Sequence, residues 1–274
     1  MIDILIILQA RVSSSRLPGK VLKKILDKPM LEHQIQRLAQ VQTPHQLVVA
    51  TSNEKDDEAI ALLCKQLNVA CYRGSLNDVL ARYYFAAMDA NTKTQGKIKH
   101  IVRVTGDCPL IDANIIDNVI SLYLKEQVDY CSNCTPATLP DGLDVEVFSL
   151  SALEIAHHNA RKPSEREHVT PYIRNNVHLF TQVNYIHQPD LSHYRWTVDE
   201  SKDFSFVTKI YQALYPSNSN FTLTDILDLI TKQPELSEIN QHIMRNEGFK
   251  KSELADQKID NQAPHNQSHV GKTL

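Results

Sequence analysis

Short apolar runs alternate with helical patterns along the first half of the chain. The first run, residues 4–8, is continuous and rich in branched side chains, which is typical of a strand buried on both faces of a parallel sheet. Shorter apolar runs follow at 47–50, 69–72 and 101–104, and helical patterns occupy 30–40, 54–67, 78–90 and 115–126. This alternation predicts an α/β fold built on a doubly wound, mostly parallel sheet.

The pattern changes in the second half of the chain. Strands are predicted within 128–149, around a turn at 139–142, and at 180–186, and helices at 152–160, 170–176, 201–214 and 224–232. We interpret residues 130–195 as a smaller inserted region that contributes to substrate binding or to a dimer contact. Residues 1–246 then form one domain, and the polar, aperiodic stretch 247–274 is predicted to be a disordered tail.

Composition narrows the class of protein. Of the 274 residues, 42% are hydrophobic, which is enough for a substantial core, and a net charge of −3 gives no basic footprint for nucleic acid. No window reaches the apolar length of a membrane span, and the amino terminus lacks the features of a signal peptide. We therefore expect a cytoplasmic protein that binds neither membrane nor nucleic acid. The five cysteines lack a framework spacing and are expected to be free thiols.

A basic loop follows the first predicted strand. Residues 9–20 contain Arg11, Arg16 and Lys20, three serines and a Pro-Gly pair. Ligands of open α/β sheets bind outside the carboxyl ends of the strands, so cations and hydroxyls at this place predict a polyphosphate site. The loop lacks the glycine spacing of a P-loop and of a dinucleotide fingerprint. The alternative is a solvated basic turn.

Two acidic residues follow other predicted strands. Asp107 comes after the strand at 101–104, in the segment Arg-Val-Thr-Gly-Asp-Cys-Pro, and Asp199 ends a strand predicted at 195–199. Carboxylates on the same rim as a basic loop predict a site for Mg²⁺ and a triphosphate, because Mg²⁺ takes oxygen ligands and usually binds together with substrate phosphates. The alternative for Asp107 is a turn cap before Pro109.

These segments resemble the sugar-activating cytidylyltransferases, which make CMP-linked keto-deoxy acids. The run Gln-Ala-Arg-x-x-Ser-x-Arg-Leu-Pro-Gly-Lys-Val-Leu at 9–22 is especially close to the SpsF-type spore-coat polysaccharide branch. The resemblance implies that the basic loop holds the CTP triphosphate and that the metal is Mg²⁺, with Mn²⁺ as an alternative. It assigns catalysis to Lys20, Arg11 and Arg16, nucleotide contacts to Ala10 and Ser13, and the metal to Asp107 and Asp199.

The same resemblance extends to the base and to the substrate. An arginine after the third strand of the family faces the cytosine, and Arg73 holds that place here, with Asp78 nearby. The alternatives are a surface arginine for Arg73 and a helix cap for Asp78. Arg103, which begins the segment Arg-Val-Thr-Gly-Asp-Cys-Pro four residues before Asp107, is assigned to substrate binding as well.

A further stretch of the chain is expected to recognise the sugar. Asp144 shares a face with Glu146 in a period-two pattern, and Arg166 and His168 follow in a segment that also matches the SpsF-type branch. These side chains would contact the hydroxyls and the carboxylate of the sugar. A salt-bridged dimer seam explains them equally well.

The sequence therefore predicts a CTP-dependent cytidylyltransferase that activates an acidic, nonulosonic or keto-deoxy sugar for a surface polysaccharide and forms a homodimer. Two alternatives stay open. One is a sugar nucleotidyltransferase that uses UTP or GTP, and the other is a non-catalytic subunit that binds a nucleotide or a sugar. The presence of both acids argues against the non-catalytic subunit, because binding alone does not require a metal pair.

Overall fold

A computed structural model of the chain describes residues 2–245 together with Ser252 and Asp256. The strands are β1 (Ile4–Gln9), β2 (Lys24–Ile25), β3 (Lys28–Pro29), β4 (His45–Ser52), β5 (Ala70–Gly74), β6 (His100–Thr105), β7 (Tyr130–Ser132), β8 (Glu146–Ser149) and β9 (Gln182–Asn184). The helices are α1 (Met30–Leu38), α2 (Glu58–Gln66), α3 (Val79–Lys93), α4 (Ala113–Glu126), α5 (Leu150–Asn159), α6 (Pro163–His168), α7 (Pro171–Asn175), α8 (Ser201–Leu214), α9 (Leu223–Lys232) and α10 (Glu235–Glu238). None of the helices in this described part is long and apolar enough to cross a membrane.

Seven of the strands form one central sheet in the order β5-β4-β1-β6-β8-β7-β9. β1 lies between β4 and β6 and is parallel to both, and β5 is parallel to β4. β8 pairs antiparallel with β6 and with β7, and β9 is parallel to β7. The predicted α/β fold with a mostly parallel sheet is confirmed, and the three strands of the region 130–195 extend this same sheet.

Side chains of β1 pack into both hydrophobic layers of the fold. Ile4, Ile6 and Leu8 pack in the layer formed with α1, α2, α4, α8 and α9, whereas Leu5 and Ile7 pack in the layer formed with α3, α5 and α7. All five side chains are at most 2% exposed. A continuous apolar run is needed here because β1 has no face in contact with water. The loop after β1 therefore leaves from the centre of the sheet.

The strand predicted at 195–199 is absent from the described fold. One isolated parallel bridge joins this segment to Asp141, where Trp196 N donates to Asp141 O at 2.6 Å. Val198 N donates instead to Asp107 O at 2.8 Å. The segment forms no ladder with one strand, because its backbone N–H groups donate to carbonyl oxygens of two different loops.

Two glycines allow close backbone contacts at these loops. A Cβ on Gly106 would lie 2.8 Å from Gln9 O, so the loop after β6 packs directly against the end of β1. Gly142 has φ +109°, and a Cβ there would lie 2.5 Å from Thr197 N. Any larger residue would have to displace backbone at either position.

Two residues near the carboxyl terminus contact the body of the protein. Ser252 and Asp256 are helical. Asp256 accepts a hydrogen bond from Ser164 N at 3.2 Å, and Ser252 Oγ lies 3.0 Å from His168 Nε2. The other residues of 247–274, which the sequence predicts to be disordered, lie outside the described part of the chain.

We expect Gly142→Ala to destabilise the fold far more than Gly96→Ala. Both positions have positive φ, which costs an L-residue about 1–2 kcal/mol. A Cβ at Gly96 meets nothing within 4 Å, whereas a Cβ at Gly142 meets the backbone of Thr197. Urea unfolding should show a loss of about 1 kcal/mol for Gly96→Ala and of about 3 kcal/mol or more for Gly142→Ala. Equal losses would show that the two loops are not in close contact.

Candidate active site

A cavity of about 780 Å³ opens at the carboxyl ends of β1 and β6. Most of the predicted site residues line it: Ala10, Arg11, Ser13, Arg16, Lys20, Arg103, Asp107, Asp144, His168 and Asp199. Arg73, Asp78 and Arg166 are not part of this lining. The cavity therefore joins the predicted triphosphate and metal residues to part of the predicted sugar site.

The basic loop forms one end of the cavity, here called the nucleotide end. Lys20 lies at the centre of this end. Gly19, with φ +69°, turns the chain into a short 3₁₀ helix that begins at Lys20, and the Lys20 side chain is largely buried. Its Nζ donates to Val198 O at 2.7 Å, to Asp199 Oδ1 at 2.9 Å and to Asp107 Oδ2 at 3.3 Å. One ammonium group therefore compensates two carboxylates.

These ion pairs fix the charges of the residues that form them. Burial alone would lower the pKa of Lys20, but the carboxylates of Asp107 and Asp199 outweigh burial and raise it. Burial alone would raise the pKa of Asp107, but the charge of Lys20 holds it at about 2. At neutral pH Lys20 is therefore cationic and Asp107 anionic, as contacts with phosphate and metal require.

Two arginines complete the nucleotide end. Arg16 NH2 lies 3.0 Å from Asp199 Oδ2. Arg11 lines the cavity and forms no ion pair within the described residues. Its guanidinium is therefore available to a phosphate group, which a planar fork of N–H donors matches well.

A buried arginine supports Asp199 from the protein interior. Arg195 donates through Nε and NH2 to Asp203 at 2.9 and 3.0 Å, through NH1 to Asp141 at 2.9 Å, and through NH2 to Asp199 at 3.3 Å. Asp203 is fully buried and also accepts the backbone N–H groups of Asp199 and Glu200, each at 2.9 Å. Sequence reasoning missed Arg195 and Asp141, because 54 residues separate them and no local pattern signals their contact.

A second part of the cavity lining, here called the acceptor end, begins at Glu146. This residue is 5% exposed, forms an ion pair with Arg103, and accepts the hydroxyls of Tyr130 at 2.5 Å and Thr170 at 2.6 Å. Burial would raise its pKa, but the charge of Arg103 and these hydroxyl donors lower it. Glu146 is therefore a fixed anion, and it lines the cavity together with Asp144.

Asp144 forms the second part of the acceptor end. It pairs with Arg245, whose NH1 also donates to Leu139 O at 3.0 Å. Burial and the charge of Asp144 raise the pKa of the neighbouring Asp141 to about 7. Sequence reasoning did not identify Arg245, which reaches this end from 101 residues along the chain. Carboxylates, guanidinium groups and hydroxyls therefore lie together at this end of the cavity.

Arg73 does not reach the cavity. Its Nε and NH2 donate to the backbone oxygens of Ser52 and Glu54, each at 3.0 Å, and its NH1 pairs with Glu58. These local partners on and after β4 engage the guanidinium, and Arg73 is not among the residues that line the cavity. The proposed contact of Arg73 with a cytosine stays a prediction.

Asp78 and Arg166 also lie outside the cavity. Asp78 caps α3 by accepting the N–H of Ala81 at 2.9 Å, and its other oxygen pairs with Arg166 NH2. The pair joins α3 to α6. These contacts match the alternative interpretations given above. Asp78 is a helix cap, and Asp78 and Arg166 form a salt bridge. The salt bridge lies within one chain.

Asp107 and Asp199 are the residues suited to hold a metal ion. Carboxylate oxygens are the ligands that Mg²⁺ prefers, and one or two of them suffice when phosphates and water complete its shell. Within the described residues, no group of three or more His, Cys, Asp and Glu side chains is placed to hold a metal. The pair at Lys20 therefore fits a Mg²⁺ ion that binds together with a triphosphate.

A basic loop and paired carboxylates at the carboxyl edge of a parallel sheet define a nucleotide-binding α/β protein. The sequence model of the family described as Cytidylyltransferase matches residues 5–247. The chain belongs to this family and is a nucleotidyltransferase, as its resemblance to the sugar-activating enzymes predicted.

Three relatives show the range of this similarity. The chain is 30% identical to the spore coat polysaccharide biosynthesis protein SpsF of Bacillus subtilis, over 86% of this chain and 97% of that protein. It is 34% identical to the mitochondrial 3-deoxy-manno-octulosonate cytidylyltransferase of Arabidopsis thaliana, over 50% of this chain and 46% of that protein. The solved structure of a cytidylyltransferase from Leptospira borgpetersenii matches with a TM-score of 0.81 and 35% identity, covering 89% of this chain and 100% of the other.

Proposed function

We propose that the protein transfers the cytidylyl group of CTP to an acidic, keto-deoxy or nonulosonic sugar and releases pyrophosphate. The observation that carries this proposal is the Lys20 ammonium between Asp107 and Asp199, beside a loop that carries further cations. Family membership supports the use of CTP. The relative named for 3-deoxy-manno-octulosonate supports an acidic sugar, and the relative named for spore-coat polysaccharide supports a surface polysaccharide as its destination.

At the nucleotide end, Lys20, Arg11 and Arg16 would contact the triphosphate. In the proposed reaction a hydroxyl oxygen of the sugar attacks the α-phosphorus in line. The new O–P bond forms as the bond from the α-phosphorus to the pyrophosphate oxygen breaks, and the hydroxyl proton passes to solvent. Negative charge develops on the leaving pyrophosphate, and cations held beside it stabilise that charge more than they stabilise the bound substrate.

Asp107 and Asp199 would hold Mg²⁺, or Mn²⁺ in its place, and the ion would neutralise charge on the nucleotide phosphates when bound. Neighbouring side chains prepare both carboxylates for this role. Lys20 keeps Asp107 ionised, and Arg195 with Asp203 fixes the position of Asp199. The contribution of the protein is thus mainly positioning and electrostatic stabilisation.

At the acceptor end, the sugar would lie among Asp144, Glu146, Arg103 and His168. Carboxylates accept hydrogen bonds from sugar hydroxyls, and guanidinium groups donate to hydroxyl and carboxylate oxygens. The whole cavity, at about 780 Å³, falls within the range of roughly 300–1,000 Å³ that is typical of small-molecule sites.

Pyrophosphate release with each of CTP, UTP, GTP and ATP, measured against a panel of acidic sugars, tests the proposed function. We expect release with CTP to exceed release with the other nucleotides at least tenfold, and to require an acidic sugar together with Mg²⁺. Arg73 was the residue predicted to contact the cytosine, but it lies outside the cavity. Cytidine specificity must therefore be tested by comparing the four nucleotides directly. Equal release with UTP or GTP would contradict cytidine specificity, and release without any sugar would contradict sugar activation.

We expect Asp107→Asn to lower turnover by roughly 100-fold or more while leaving the melting temperature close to that of the wild type. The substitution is almost isosteric, so it removes a charge without creating a cavity, and losing one electrostatic element of this kind typically costs about that much. Raising Mg²⁺ or supplying Mn²⁺ should recover part of the loss. Asp56→Asn, at an exposed site outside the cavity, is the control and should retain full turnover. Wild-type turnover in Asp107→Asn would rule out Asp107 as a metal ligand.

A further inference from the structure

A second cavity, of about 470 Å³, lies between α1, the carboxyl end of α8 and the loop before α9. It shares no described lining residue with the first cavity. Its volume also falls within the range of roughly 300–1,000 Å³ for small-molecule sites. The proposed function makes no use of this space.

A buried cation without an acidic partner lines the second cavity. Arg37 is 8% exposed and donates from Nε to Ile111 O at 2.5 Å and from NH2 to Phe221 O at 2.9 Å. Its guanidinium carbon lies 4.5 Å from the centroid of the Phe221 ring. Among the described residues no carboxylate forms an ion pair with Arg37. A buried charge is costly unless it is compensated, so an anion in this cavity would be stabilised.

A second cation lies at the rim of the same cavity. Lys28 Nζ donates to Tyr215 Oη at 3.0 Å and to Gln36 Oε1 at 3.1 Å, and 37% of its side chain is exposed. Glu32 lies 3.9 Å from this ammonium, too far for a hydrogen bond. Lys28 therefore forms an ion pair with Glu32, but its hydrogen bonds go to neutral groups. Its partly exposed ammonium can still contact an anion in the cavity.

The acidic residue in the described lining, Asp112, does not compensate these cations. One of its oxygens accepts the N–H of Asn114 at 2.8 Å, and the other accepts the N–H of Leu223 at 2.6 Å. Asp112 therefore holds the starts of α4 and α9, and among the described residues it forms no ion pair with Arg37 or Lys28. The lining offers two cations and one carboxylate that is already engaged.

The rest of the lining has the chemistry of a site for hydroxylated ligands. Aromatic rings come from Tyr211, Tyr215 and Phe221, and side-chain amides come from Gln40, Gln42 and Asn220. Aromatic faces pack against apolar C–H surfaces. Amides both donate and accept hydrogen bonds, as hydroxyl groups do. A ligand that combines hydroxyls with an anionic group would match this lining.

We propose that the second cavity binds a small hydroxylated anion, which is a sugar carboxylate or a sugar phosphate. The anionic group lies at Arg37 and Lys28, and the hydroxyls lie among the amides. The site stands directly behind the loop that carries Asp107, because Arg37 holds Ile111 O and the hydroxyl of Tyr211 donates to Pro109 O at 2.7 Å.

Isothermal titration calorimetry on the full chain tests this proposal with D-gluconate and D-glucose 6-phosphate as probes. Methyl α-D-glucoside, which has hydroxyls but no charge, and sulfate, which has charge but no hydroxyls, are the matched controls. We expect one saturable site for at least one of the two probes. Its Kd should be at least about tenfold lower than that of either control. The ratio of the two probe affinities distinguishes a carboxylate from a phosphate ligand.

Three single-charge variants locate the bound probe. Lys28→Gln should raise the Kd at least about tenfold, whereas Arg16→Gln, which removes a cation of the first cavity, should leave it unchanged. Arg37→Gln should abolish binding, but it also removes support for two backbone carbonyls, so Lys28→Gln keeps the test decisive if that variant fails to fold. Three results would overturn the proposal: no saturable binding of either probe, equal binding of a control, or a Kd that responds to Arg16→Gln and not to Lys28→Gln.

Discussion

Two carboxylates from distant parts of the chain share one ammonium group, and the active site depends on this arrangement. Lys20 Nζ lies 2.9 Å from Asp199 and 3.3 Å from Asp107. Without a cation between them, two carboxylates at one place would repel each other, and one of them would become protonated. Gly106 allows the loop that carries Asp107 to pack against the end of β1, and Gly142 allows its own loop to pack against the segment that carries Asp199.

The same balance of charges continues through the protein towards the acceptor end. Arg195 contacts Asp199 on one side and Asp141 on the other, and Asp203 anchors it through two hydrogen bonds. Arg245 pairs with Asp144 and lies 3.9 Å from Asp141. Buried ions are costly unless they are paired or hydrogen-bonded. A chain of alternating acids and arginines therefore joins the nucleotide end to the acceptor end, and few of its members can change without leaving a charge uncompensated.

Local sequence patterns predicted the elements of the fold better than they predicted the site. The run at 4–8 is apolar because β1 is buried on both faces, and the helix predicted at 201–214 has the same bounds in the structure. The prediction of a strand at 195–199 was wrong, because a ladder of backbone hydrogen bonds needs one neighbouring strand along its length. This segment has two different neighbours, and its own pattern does not reveal them.

The site could be predicted where its residues lie in short motifs at strand ends. The basic loop and Asp107 were found in this way, because the end of a parallel strand fixes where the following residues lie. Arg195 and Arg245 reach Asp141 and Asp144 across 54 and 101 residues of the chain, and one sequence does not encode such contacts locally. Arg73 was placed at the base by resemblance, but its guanidinium is engaged by residues close to it in the fold.

The position of Mn²⁺ in crystals grown with CTP, located by anomalous scattering at the manganese edge, tests the central claim most directly. We expect one strong peak within about 2.3 Å of carboxylate oxygens of both Asp107 and Asp199, with the triphosphate against Lys20. A peak at another part of the protein, with both acids still paired to Lys20 alone, would contradict the assignment of this charge cluster as the nucleotide site.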